Sequence, residues 1–373
     1  MRRRFFLGSF VNANRGSHFF VPVGGLIVLH KNNYQSMENR LTYLDCIKGL
    51  GIILVILYHC GYVPWDSMYI RGIYAICVPL FFMVNGYVML RKEHSLKTLL
   101  SKNVKIIFIA LFWACVSTAI YMWKIGEWNM DTPLDSIKIF VKKSWYMSTP
   151  YSNHLWFLET LFVLNLLNPI WYYFIHYKKN GIYYLLLLFG LCTPLFIGEI
   201  MNRLFINPFR GWYWFSILYY VLGYALLDGH LNTDKIKTNW IIVISLLLTL
   251  CQFGYNWCIN VGPLASHQWI NDIVWDGYSA PFVILLTASV CWLFKRIKWK
   301  ENGFLQSIGL YSLPIYLMQT PVQRLWQMAL PLDIWKQNYH ICGIILPILT
   351  LITCYFLARL LLTNKYTTWL VKI

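Results

Sequence analysis

Ten stretches of this chain run for close to twenty residues with almost no charge, and that repetition constrains the fold more than any other feature. A helix needs about 20 mostly apolar residues to cross a bilayer. The candidate spans lie near 45–63, 72–90, 104–123, 154–177, 181–200, 211–228, 239–258, 277–294, 304–323 and 341–363. Prolines inside them (Pro79, Pro194, Pro281, Pro314, Pro347) are tolerable where neighbouring helices satisfy the freed carbonyls. Composition agrees: 58% of the 373 residues are hydrophobic and 13% charged, against about 25% charged in soluble domains. So little charge cannot coat a water-facing surface, and the same figures exclude disorder, collagen and coiled coil. The expected fold class is all-α: a polytopic membrane protein with about ten transmembrane helices.

The formal charge of +17 would suggest nucleic acid in a soluble protein. Here the cations fall mainly between apolar runs, where they set topology and meet anionic headgroups. Alternate segments collect 20 Lys and Arg on one side and 8 on the other, which places both termini in the cytoplasm. The ten cysteines are scattered without a CxxC pair, so no metal is expected. Residues 1–40 read as a tail ahead of one transmembrane domain, 41–373. Met37 is the expected functional start, and 1–36 fits a signal peptide poorly.

Charged and polar groups inside a span are costly, so each is a candidate site. Lys48 and His59 stand eleven residues apart in the first span. That spacing is about 20° from three full turns, so both project from one face, about 16 Å apart along the axis. A lysine at a helix end also snorkels, and a lone imidazole also bonds a neighbouring helix. The second span carries Asn85-Gly86-Tyr87, a carboxamide beside a residue that permits close helix approach. The fourth opens with His154, Trp156 and, one turn deeper, Glu159, the acidic residue set furthest into a span and a candidate partner of His59. The ninth, polar-studded and proline-broken, contains Tyr311, Ser312 and Gln319, as expected of a helix facing a cavity. Ten Trp residues crowd the outer side (123, 128, 145, 212, 214, 257, 269, 275, 326 and 335), either as an interfacial belt or as a sugar-stacking platform.

These phrases resemble integral-membrane acyltransferase family 3, bacterial proteins that O-acylate cell-envelope carbohydrates. The family's first-helix signature, Asp, a basic residue, ten residues and His, reads Asp45, Lys48 and His59, with Lys where Arg is usual. Its Pro-x-Phe-Phe-x-x-Ser-Gly-aromatic phrase reads Pro79 to Tyr87, with Asn85 in place of Ser. His-Leu-Trp-Phe-Leu at 154–158 and Gly-x-Tyr-Ser-x-x-x-Tyr-Leu at 309–317 also fit, although Gln319 stands where many members have His. The basic pair leading the third helix reads Lys102-x-x-Lys105.

The resemblance implies transfer of an acyl group, most often acetyl, from acyl-CoA to a carbohydrate hydroxyl, at a bacterial inner membrane and with no metal. It implies His59 as base or acyl carrier, oriented by Glu159 or Asp45, and Lys48, Lys102 and Lys105 as anchors for the donor's phosphates. Asn85, Tyr87, His154, Trp156, Tyr311, Ser312 and Gln319 are the expected substrate contacts. The competing reading is a transporter or flippase of a lipid-linked glycan, which ten spans and a broken helix also suit. A structural or regulatory membrane protein leaves Lys48, His59 and Glu159 without purpose.

Overall fold

The chain divides into two units, Met1–Leu41 and Thr42–Ile373. The computed structural model describes residues 41–60, 74–128, 132–146, 151–191, 213–231, 235–260, 278, 281–330 and 339–372. The tail with Met37, and the aromatic segment 261–276, lie outside the described residues.

Among the described residues there are twelve α-helices and no strand. They are α1 (Thr42–Cys60), α2 (Cys77–Leu90), α3 (Leu96–Ile125), α4 (Pro133–Trp145), α5 (Trp156–Tyr177) and α6 (Gly181–Leu191). Then follow α7 (Tyr213–Leu227), α8 (Thr238–Asn260), α9 (Pro281–Arg296), α10 (Phe304–Leu310), α11 (Ser312–Ala329) and α12 (Tyr339–Thr363). Each of the ten apolar segments holds a helix. Among the described residues, three stretches, Thr42–His59, Leu96–Ile125 and Gly343–Thr363, are long and apolar enough to cross a membrane.

The helix ends follow from local chemistry. Ser95 caps α3 by accepting from the Thr98 amide at 3.3 Å, and Gly126 ends it at φ 72°, a left-handed conformation that costs glycine little. The ninth apolar segment, expected as one span, is two helices broken at Tyr311. Pro314 lacks the amide hydrogen that would bond the Leu310 carbonyl, so α10 stops there and α11 starts afresh. Helix α4 was not expected at all: its thirteen residues are amphipathic and too short to span.

Helix α1 packs against α2, α9, α10, α11 and α12, which puts its polar stripe at the centre of the bundle. Two crossings are close because glycines face backbone. A Cβ on Gly49 would strike the Leu305 carbonyl and one on Gly309 that of Asp45, locking α1 to α10. Gly86 meets the Tyr220 carbonyl and Gly223 that of Met83, locking α2 to α7. Gly86 thus has the close-approach role its pairing with Asn85 suggested.

Candidate functional site

Along α1 the stripe Lys48, Val55, His59 repeats at seven and four residues, so its members share one face. Lys48 and Val55 line a cavity of about 310 Å³ whose other walls come from α2, α5, α10 and α11. The walls are mostly apolar: Val78, Phe81 and Val84 from α2, and Phe157 and Leu161 from α5, face Leu313. Polar atoms enter from Lys48, Asn85, Ser312 and Tyr316. The Asn85 Nδ2 is buried with no hydrogen-bond partner among the described residues. A buried amide in that state stabilises whatever acceptor enters beside it.

One turn beyond Val55, at the C-terminal end of α1, a second polar cluster closes over the cavity. The Gln323 carboxamide donates to the His59 carbonyl at 2.9 Å. The Tyr316 hydroxyl, whose side chain also lines the cavity, donates to the His154 carbonyl. The imidazole of His154 bonds the backbone of Leu317, whose carbonyl lost its helical donor to Pro321, four residues on. Its Nε2 is buried and has no partner among the described residues, so Nδ1 makes that bond and Nε2 carries the lone pair. Gln319 lies between Tyr316 and Gln323 on the same face of α11, and both its amide atoms are buried without a partner among the described residues.

Arg324 completes this cluster. It is buried, donates through Nη1 to the carbonyls of Ser117 (2.9 Å) and Tyr151 (2.6 Å), and lies 4.5 Å over the Tyr121 ring. Its charge acts on both His59 and His154, and the two imidazoles act on each other. Tyr151 in turn donates to both oxygens of Glu127 at 2.9 Å. Burial, then that carboxylate, pushes the Tyr151 phenol up to about 12, so it stays a donor at any physiological pH. Arg324 was not singled out among the expected site residues. The signal was present, because an arginine inside a largely apolar helix is itself a site indication.

The structure redistributes the remaining expected residues. Asp45 is ion-paired with Lys48 at 2.6 Å and almost wholly buried. It stands fourteen residues from His59, about 21 Å along the same helix, too far to orient that imidazole. Glu159 is exposed on α5 rather than enclosed beside His59, though its charge reaches Tyr316. Tyr87 is buried away from the cavity, where it bonds Tyr43 and lies 5.0 Å beneath the Arg91 guanidinium. Trp156 sits in an aromatic cluster with Phe82, Phe215 and Tyr278 at 5.7–6.4 Å. Tyr311 meets Tyr355 edge-on at the helix break.

Of the three lysines, Lys48 faces the cavity. Lys102 is half-buried, its Nζ 3.4 Å from the Met89 sulfur, and Lys105 is exposed. The residues the structure brings together are therefore Lys48, Asn85 and Ser312 around the cavity, and His59, His154 and Gln319 above it. Among the described residues, no group of three or more metal-ligating side chains occurs.

A family model for an acyltransferase domain matches residues 41–359. The chain belongs to integral-membrane acyltransferase family 3. That match takes in α1 through most of α12, so both polar clusters lie inside the acyltransferase domain. Neither a curated protein nor a solved structure matches the chain. Family membership makes it a membrane acyltransferase, and the apolar helices suit that setting.

Proposed function

We propose that this acyltransferase is an O-acetyltransferase that moves the acyl group of acetyl-CoA to a hydroxyl of a cell-surface polysaccharide or lipid-linked glycan. In this reading it lies in a bacterial inner membrane with both termini in the cytoplasm. The observation that carries the proposal is the α1 stripe: Lys48 at one end of an apolar cavity, and His59 one turn past its far wall. Acyl-CoA, as co-substrate, supplies an acyl group activated as a thioester. The cavity's mostly apolar lining, one ammonium and one orphan amide suit a long arm that is greasy along its length and polar at intervals.

The residues divide the work by position. Lys48 draws the donor's phosphates as a point charge, in competition with Asp45. His59 takes the proton from the acceptor hydroxyl as that oxygen attacks the thioester carbonyl; the carbon–sulfur bond then breaks, and CoA leaves as its thiol, taking the proton from the imidazole. The carboxamide of Gln319, buried and without a partner among the described residues, donates to the oxygen that gains charge. The Nε2 lone pair of His154 accepts a hydrogen bond from a second hydroxyl of the sugar. Arg324 holds the surrounding backbone and supplies a fixed positive field.

Membranes containing the protein, incubated with radiolabelled acetyl-CoA and glycan, test the reading. Alkali-labile label on the glycan is the expected result. Glycan uptake without label would favour a transporter and defeat the proposal. In the same assay Lys48→Ala raises the apparent KM for acetyl-CoA.

A further inference from the structure

Helix α4 lies outside everything assigned above. Leu134, Ile137, Val141 and Trp145 recur along it at three- and four-residue spacing, and each is more than half exposed. They form one ridge. An adjoining face, about 100° around the helix, is what holds α4 to the rest of the protein. The Ser136 hydroxyl donates to the Glu127 carbonyl at 3.3 Å, Phe140 packs on Trp128 at 5.7 Å, and Ser144 is buried. The helix thus meets the protein through two serines and a phenylalanine and leaves its apolar ridge outward, the reverse of a helix packed on a water-soluble core. Lys138 and Lys142 run along the other side of the ridge and are exposed, with Asp135 paired to Lys138 at 3.0 Å. Lys143 folds back, its ammonium 4.7 Å over the Tyr151 ring.

The position of α4 indicates what covers the ridge. Helix α3 has thirty residues, with exposed Leu100, Val104, Ile107 and Phe108 along its flank. At 1.5 Å per residue it is about 45 Å long, the thickness of a bilayer with its headgroups. Its C-terminal end, where α4 is attached, therefore stands at headgroup level. Trp123 and Trp128, both exposed, mark the same level. A ridge of leucine, isoleucine, valine and tryptophan bordered by lysines is the composition of a helix lying in a lipid interface.

We propose that α4 is an interfacial helix, its Leu134–Trp145 ridge sunk into the phospholipid leaflet around the C-terminal end of α3, with Lys138 and Lys142 on anionic headgroups. The seating would hold Tyr151, and through it the Arg324 cluster, at a constant depth in the membrane. It does not depend on the acyl-transfer reading.

Photocrosslinking tests it. The full chain, carrying p-benzoylphenylalanine at Val141, is reconstituted into vesicles of equal phosphatidylcholine and phosphatidylglycerol, irradiated and analysed by mass spectrometry. The same label at Phe108 is the lipid-facing control. The expected result is lipid adducts at 141 comparable to those at 108, with phosphatidylglycerol enriched about fivefold at low salt. K138Q together with K142Q should abolish that enrichment and leave the adducts. Two outcomes overturn the proposal: a covalent dimer formed from position 141, which would make a second copy the occupant, or no adduct at 141 while 108 labels. Equal capture of the two lipids would overturn the assignment of the lysines.

Discussion

The Gln323 carboxamide donates to the His59 carbonyl at 2.9 Å, tying the last turn of α1 to the C-terminal half of α11. Carbonyls in the last turn of a helix have no partner of their own. A side chain from a neighbouring helix supplies one here, and it does so at the residue whose imidazole the proposed reaction needs. The orientation of His59 is therefore set by an interaction between helices.

His59→Ala should lower acyl transfer by about 10²–10⁴-fold, the usual contribution of a positioned base, while the protein remains inserted and folded. Gln323→Leu keeps the imidazole itself but frees the backbone that carries it. A loss of up to about 10²-fold is expected from the resulting misplacement. Initial rates with labelled acetyl-CoA, measured alongside thermal unfolding in detergent, separate the two effects. Full activity in His59→Ala would remove the proposed base.

Arg324→Met should cost stability first. It strips the donor from two buried carbonyls, at about 1–3 kcal/mol for each group left unsatisfied. Arg324→Lys keeps the charge but not the planar fork, and should recover part of the loss. Thermal unfolding of the three proteins checks the order wild type, Lys, Met.

Gly86→Ala pushes a methyl into the Tyr220 carbonyl and should destabilise by about 1–3 kcal/mol or more, because backbone cannot move aside as a side chain can. Gly190, helical with nothing within 4 Å, is the matched control. Gly190→Ala should be neutral or stabilising by about 0.5–1 kcal/mol. Equal effects at the two positions would contradict the close crossing of α2 and α7.

His94 lies between α2 and α3. Burial, and then Lys102 and Lys92, hold its imidazole below the ordinary value. A histidine whose folded value is depressed sheds its proton on folding. Its contribution is therefore complete above about pH 6.5 and declines as the pH falls below that value. The unfolding midpoint of the wild type should drop more steeply between pH 7 and 5 than that of His94→Gln. Parallel curves would show that His94 carries no such dependence.

The all-helical, membrane-bound class was legible from the apolar runs, because the need to satisfy backbone groups in lipid leaves a chain of this composition few other choices. The alignment of Lys48 with His59 was equally legible, since the period of a helix is a local property that counting residues recovers. The family was legible in ordered phrases on four of those helices. Glycine at 86 announced a close crossing, though not that Tyr220 would be opposite.

Which side chains meet across helices was decided only by the tertiary structure. Asp45 went to Lys48 because a partner three residues away is always within reach. Glu159 turned outward, while Tyr87 and Trp156 joined aromatic neighbours. Arg324 and Gln323 acquired their roles from segments 207 and 264 residues distant, through bonds to Ser117 and His59, and Pro321 acquired its role by freeing a carbonyl that His154 bonds. Spacing along one helix says which face a residue occupies. What that face meets depends on how helices pack, and that is settled by many weak, non-local contacts that no short stretch of the chain contains.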